Sequence, residues 1–255
     1  GKLLLSCRSH YFRTAWEQNT FLLGEEREGR GGADYQALTL LPFSDTQVRE
    51  YLDHHLTGLD VDRALELIRS VHNLPELAGR PYTLSLIAEH LPELEAKRLA
   101  GRTVYGVDLY GAMVTRWLQR DQGKHQFNPT HKELVVEHLA AALWRSGKRQ
   151  WSHADLEDWL DGFLLENPRV DSAYRNKDRE VLKEDLRTAT FLVRPDEDSF
   201  RFAHTSLQEY FLARFLHRAL REGRALACAL PLPSIETVAF LFPLVSRDDE
   251  HRAAV

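Results

Sequence analysis

The sequence predicts a mainly α-helical fold, with one helical domain, a second that contains a short β-hairpin, and two preceding strands of an α/β core. Three observations support this prediction. From residue 44 onward, apolar side chains recur every three or four residues, as in helices that bury one face. Between residues 190 and 203 the period falls to two, as in a hairpin. Leu3–Leu5 is an uninterrupted apolar run, typical of a buried parallel strand.

The composition is that of a globular protein. The chain has 255 residues, of which 43% are hydrophobic, and a net charge of −5. This length predicts one large domain or two to three small ones. The two distant cysteines, Cys7 and Cys228, exclude a disulfide framework and a cysteine-based zinc site, and they favour a reducing, cytoplasmic compartment. The apolar stretches at 225–230 and 238–245 are shorter than the roughly 18 residues that span a bilayer, so no membrane helix is expected.

Residues 1–41 are predicted to come from the α/β core. Leu3–Leu5 forms one strand, and after a glycine-rich stretch Tyr35–Leu41 largely alternates apolar and polar residues as a second strand. The first strand begins without preceding elements, and Gly1 is not a methionine. We therefore expect the chain to be the later part of a longer protein, with the groups that perform chemistry upstream.

A first helical domain is predicted at residues 42–101. Ser44 and Gln47 form a capping box, which marks a helix start. A second helix carries apolar residues at helical spacing from 61 to 71. A third begins at Pro81, because the missing N–H of proline would have no intrahelical partner at the first helical position.

The block at 102–224 is predicted to be a winged-helix domain, since its helices are followed by one hairpin, with a turn at 195–198. The segment 225–255, with apolar residues 238–245, is predicted to start a second helical domain. Three helix starts within the winged-helix domain are indicated by residues three positions apart: Thr130 with Glu133, Ser152 with Asp155, and Thr205 with Gln208.

Known metal and nucleophile motifs are missing from the sequence. His54 and His55 are adjacent and point to different faces of a helix, while His131 and His138 lie seven residues apart, and no HExxH motif occurs. Neither a GxSxG elbow nor a catalytic-cysteine signature is present. We therefore predict no metal ligands and no catalytic residues.

Charge in the winged-helix block argues against nucleic acid as a partner. Residues 102–224 contain 20 Lys or Arg and 19 Asp or Glu, whereas phosphate-backbone binding needs a clustered basic excess. One helix nevertheless carries a basic stripe, for which a solvated helix face is the main interpretation and partner or nucleic-acid binding the alternatives. Its members are Arg214, Arg218, Arg221 and Arg224.

Three positions are candidates for ligand binding. Arg8 follows the first strand, from which a cation can reach a ligand at the sheet's carboxyl edge, although it could also be a surface arginine. Gly79 and Pro81 flank a helix start, where a flat ligand can approach, although this could also be only a helix boundary. His204 precedes a helix N-terminus that favours an anion, although it could also be a capping or core histidine.

The strings around these positions resemble a known family. FRFAHTSLQEYFLA at 200–213 resembles the winged-helix motif of NACHT-type STAND NTPases. LLLSCRSHYF at 3–12 is similar to the family's fourth strand with its first sensor arginine, and LTLLPFSDTQVREYL at 38–52 is similar to the entry into its first helical domain. GRP at 79–81 matches its GxP motif. The resemblance covers nearly the whole chain in the correct order, and makes residues 1–41 the end of an NTPase core.

The resemblance implies part of an ATP/ADP-dependent signalling switch in immune or anti-phage defence. It implies that Arg8 senses the terminal phosphate, that Pro81, in the motif beginning at Gly79, packs on the adenine, and that His204 holds the β-phosphate of ADP. It also implies magnesium in the intact protein, an upstream NTPase core, downstream sensor repeats, an effector domain and homo-oligomerisation on activation.

Two features limit what this region can do alone. Neither GxxxxGK[ST] nor an acidic Walker B strand occurs in the 255 residues, so this region by itself is expected to bind no cofactor and to hydrolyse no ATP. The alternative function is a free-standing winged-helix regulator that binds nucleic acid or a protein partner without nucleotide.

Overall fold

The computed structural model describes residues 41–71, 74–101, 103, 105–121, 123, 126–189, 191–195 and 198–253. The predicted strands Leu3–Leu5 and Tyr35–Leu41 and the candidate Arg8 lie outside the described residues, apart from Leu41. The described part is mainly helical, as predicted. Its first four helices are α1 (Asp45–His55), α2 (Val61–Ser70), α3 (Leu74–Ala78) and α4 (Pro81–Leu99).

The remaining elements include the helices of the winged-helix domain and a three-stranded sheet. In chain order they are α5 (Gly106–Asp121), α6 (Pro129–Ser146), β1 (Trp151–Ser152), α7 (His153–Glu166), α8 (Pro168–Ala173), α9 (Arg179–Arg187), β2 (Leu192–Val193), β3 (Ser199–Phe202), α10 (Thr205–Arg221) and α11 (Ile235–Ala253). A short 3₁₀ turn, Ala225–Cys228, lies between α10 and α11.

None of the helices in the described part of the chain is long and apolar enough to cross a membrane. The predicted domain limits stay predictions.

The predicted hairpin is present, and a third strand extends it. β2 and β3 pair antiparallel with Leu192 opposite Phe202, and β1 pairs antiparallel with the other edge of β3, placing Trp151 opposite Phe200. The strand order is therefore β1-β3-β2. Two residues of β1 are too few to show an alternating pattern, which explains why the sequence did not predict this strand.

The sheet packs on α10 through aromatic side chains. Phe191, Phe200, Phe202 and Phe211 are all at most 4% exposed. The ring of Phe211 lies 4.9 Å from that of Phe191 and 6.0 Å from that of Phe202, measured between centroids. Among the described residues, a continuous apolar core extends from α1 to α11, and α10 packs within it against α6 and α11. This packing fixes the N-terminus of α10 beside the hairpin.

Local capping residues set most of the predicted helix starts. Ser44 and Ser152 each form the expected capping box, and Pro81 occupies the first turn of α4. The prediction for Thr130 was wrong, because the side chain of Asn128 caps α6 two residues earlier. Thr205 begins α10 as predicted, but the capping side chain is that of His204.

Candidate functional site

The GRP segment connects α3 to α4. The carbonyl oxygen of Gly79 accepts a hydrogen bond from the backbone N–H of Phe43, at 2.6 Å. A Cβ at Gly79 would meet its nearest neighbour at 3.4 Å, which is ordinary contact, so the described contacts do not require glycine there. Pro81 lies in the first turn of α4 with its ring exposed. The segment is thus a helix boundary that leaves one apolar ring open to a ligand.

Arg80, between these two residues, reaches the winged-helix domain. Its Nη2 donates a hydrogen bond to the carbonyl oxygen of Ala203, at 2.7 Å. Burial and the nearby charge of Arg201 lower the pKa of Arg80, while Glu76 acts in the opposite direction. Because Ala203 directly precedes His204, this contact brings the GRP segment beside the third candidate residue.

His204 is the N-cap residue of α10 and is largely buried, with 11% of its side chain exposed. Its Nδ1 accepts a hydrogen bond from the backbone N–H of Ser206, at 3.2 Å. Its Nε2 lies 2.6 Å from Oε2 of Glu76, a residue of α3. The capping interpretation of His204 is therefore correct, but the cap uses only one of the two ring nitrogens.

A hydrogen-bond network assigns the proton on this imidazole. The buried hydroxyl of Tyr110 donates to Oγ of Ser206 at 2.7 Å, and Oγ of Ser206 lies 2.7 Å from Nδ1 of His204. Burial raises the pKa of Tyr110, which keeps this donor protonated. Since Nδ1 accepts the backbone N–H, the proton of the ring belongs on Nε2, which donates it to Glu76.

The structure thus brings two of the three predicted positions together. Glu76 and Arg80, on either side of Gly79, contact His204 and Ala203 respectively. Sequence reasoning did not identify the roles of Glu76, Arg80, Ser206 and Tyr110. Arg80 lies inside the GRP motif and could have been noticed, but nothing in the sequence indicates a contact between Glu76 and a residue 128 positions away.

The four arginines of the basic stripe, three on α10 and one just after it, form ion pairs within the molecule. Arg214 pairs with Glu133 and Glu137, and Arg218 pairs with Glu137. The remaining members pair with acidic residues nearby, Arg221 with Asp248 and Arg224 with Glu222. The interpretation as a solvated helix face is therefore wrong for the first two arginines, which are about two-thirds buried.

Two comparisons with known proteins bear on the chain. A family model described as "Winged helix-turn-helix domain C-terminal to NACHT" matches residues 112–216, inside the range predicted for that domain. An uncharacterised WD repeat-containing protein of Nostoc sp. (strain PCC 7120 / SAG 25.82 / UTEX 2576) is 26% identical over 223 residues. This match covers 84% of the chain but only 14% of the relative's length. Residues 112–216 are thus a winged-helix domain of the type found C-terminal to NACHT.

Proposed function

We propose that this region is part of a nucleotide-dependent signalling switch. Residues of its helical and winged-helix domains would bind ADP or ATP. The observation that carries the proposal is the hydrogen-bond donor at Nε2 of His204. It lies at the N-terminus of α10, faces an anionic carboxylate at 2.6 Å, and is joined through Arg80 to the GRP segment. A donor at a helix N-terminus is suited to a phosphate oxygen.

Each candidate residue would have one role in the intact protein. His204 donates a hydrogen bond to the β-phosphate of ADP, and the exposed ring of Pro81, which follows Gly79 and Arg80, packs on the adenine. Arg8 senses the terminal phosphate. In the intact protein, magnesium would be bound by the upstream NTPase core together with the nucleotide.

The proposal extends to the whole protein. ADP would hold the helical and winged-helix domains against the core, and exchange for ATP after a trigger would release them for homo-oligomerisation and activation of an effector domain. The matched relative is named for its WD repeats, which is consistent with downstream sensor repeats in the intact protein. We propose a role in immune or anti-phage defence in the cytoplasm.

The pairing of the basic stripe favours the switch over a nucleic-acid-binding regulator. Arg214 and Arg218 are held by the carboxylate of Glu137, whose side chain is fully buried. Guanidinium groups engaged in this way would have to leave a buried carboxylate unpaired before they could bind a phosphate backbone, which is costly.

Substitution of His204 tests the proposal in the full-length protein. His204→Ala and His204→Asn both remove the Nε2–H donor, but asparagine retains an N-cap acceptor. A charge-assisted hydrogen bond contributes about 1.5–3 kcal/mol, so ADP should bind roughly 10- to 150-fold more weakly. Because ADP favours the closed state through such contacts, both variants should signal without a trigger. Arg8→Ala should instead impair activation.

The measurements are ADP affinity by calorimetry and signalling per folded molecule. Asn128→Ala is the matched control, since it removes the N-cap of a different helix, α6. It should lower stability without activating the protein. The proposal fails if the His204 variants are folded, bind ADP as tightly as the wild type and stay silent.

A further inference from the structure

The carboxylate of Glu76 faces the ring nitrogen of His204 that the helix cap leaves unused. Its Oε2 is 2.6 Å from Nε2 of His204. The two side chains differ in environment, because Glu76 is 72% exposed while His204 is 11% exposed. Glu76 therefore reaches from the surface of α3 to the Nε2 atom of a largely buried histidine.

The positive charge of Arg80 lies within electrostatic reach of this carboxylate. The guanidinium group of Arg80 is held in place by its hydrogen bond to the Ala203 carbonyl oxygen. The charge of Arg201 lowers the pKa of Arg80 and the charge of Glu76 raises it, so both groups act on Arg80. A fixed guanidinium group within electrostatic reach and a directed N–H form a setting that suits an anion.

We propose that Glu76 is an internal substitute for the nucleotide phosphate. Its carboxylate engages the Nε2–H of His204 when no nucleotide is bound, and it must turn away before a phosphate oxygen can accept the same hydrogen bond. A carboxylate and a phosphate both present anionic oxygens, but the single proton on Nε2 cannot serve both at 2.6 Å. The inference rests on the proposed function and adds a competitor within the chain.

This competition has two consequences. Glu76 lowers the affinity for ADP, because part of the binding energy is spent in displacing it. It also joins α3 to the N-terminus of α10, so its displacement removes one contact between these two helices. Exposed ion pairs contribute little, so displacement is easy and the effect on affinity amounts to about two- to fivefold.

A double-mutant cycle with ADP as the probe tests the inference in the full-length protein. Glu76→Ala should tighten ADP binding by about two- to fivefold, measured by calorimetry. In the His204→Asn background the same change should give no gain, because the contested donor is already lost. Glu50→Ala, which removes an exposed carboxylate from α1, controls for the loss of one negative charge and should leave ADP affinity unchanged.

The outcomes separate this inference from the proposed function. If the wild type binds ADP but Glu76→Ala binds it equally or more weakly, Glu76 is no competitor and the inference falls while the proposed function stands. A gain of equal size in the His204→Asn background also overturns it, since the effect would then not pass through His204. If neither the wild type nor any variant binds ADP, the proposed function fails and this inference with it.

Discussion

His138 on α6 is a histidine that the fold holds in its neutral form. Its ring lies between those of Phe163 and Phe215, with centroid separations of 5.1 and 5.0 Å. Burial, together with the positive charges of Arg224 and Arg218, lowers its pKa to about 4. In the unfolded chain a histidine titrates near 6.5. The unfolded state therefore binds this proton more tightly, and stability falls as the pH drops from 6.5 toward 4.

Replacement of His138 should reduce the sensitivity of the protein to acid. Between pH 7.5 and pH 5 we expect its titration to remove about 2 kcal/mol from the free energy of unfolding of the wild type. His138→Gln should lose that part of the pH dependence, as measured by urea denaturation at the two pH values. His54→Gln, at an exposed position on α1, should retain it. An unchanged pH dependence in His138→Gln would contradict the lowered pKa.

At the scale of elements, the start of α6 shows how a cap is chosen. The sequence pattern predicted Thr130 as the cap, but the structure uses Asn128, whose Oδ1 accepts from the backbone N–H of His131 at 2.8 Å. The backbone N–H of Asn128 donates to the hydroxyl of Tyr174 at 2.9 Å. This contact from a distant segment, together with Pro129 at the first helical position, places the cap two residues before the predicted one.

Two alanine substitutions compare how much Asn128 and Thr130 each contribute to the stability of α6. Asn128→Ala should lower the free energy of unfolding by about 1 kcal/mol, because an N–H group in the first turn of α6 loses its acceptor. Thr130→Ala changes an exposed side chain and should stay within about 0.5 kcal/mol of the wild type. Denaturant unfolding of both variants measures the difference, and equal losses would show that Asn128 is not the dominant cap.

At the scale of the whole molecule, a buried carboxylate joins two packed helices. The Glu137 side chain on α6 is fully buried and accepts hydrogen bonds from Arg214, at 3.3 Å, and from Arg218, at 2.7 Å, both on α10. Desolvation of this carboxylate is offset only while both arginines remain. The same helix α10 contributes the His204 cap at its N-terminus, so the ion cluster also positions the candidate site.

Removal of this carboxylate should be strongly destabilising. Glu137→Ala leaves two partly buried arginines without their shared partner, and we expect a loss of about 3–5 kcal/mol in the free energy of unfolding. Asp62→Ala breaks the exposed pair between Asp62 on α2 and Arg49 on α1, and should cost at most about 1 kcal/mol. Chemical denaturation compares the two. Similar small losses would show that burial adds nothing to the Glu137 cluster.

The sequence by itself determined the features that depend on neighbouring residues. The helix starts at Ser44, Pro81 and Ser152 rest on hydrogen bonds or ring geometry within three residues. The hairpin and its aromatic core follow from a two-residue period and a short connection, which together limit the possible pairings. The strings at 79–81 and 200–213 also predicted the two segments of the candidate site.

Only the tertiary structure decided which side chains meet at that site. The contacts of Glu76 with His204 and of Arg80 with Ala203 join residues 128 and 123 positions apart. The hydroxyl of Tyr110 reaches Ser206, the residue that contacts Nδ1 of His204, from another helix. The pairing of Arg214 and Arg218 depends on a carboxylate of α6. Sequence spacing carries no information about such pairs, because they arise from the packing of separate helices and not from the period of any one.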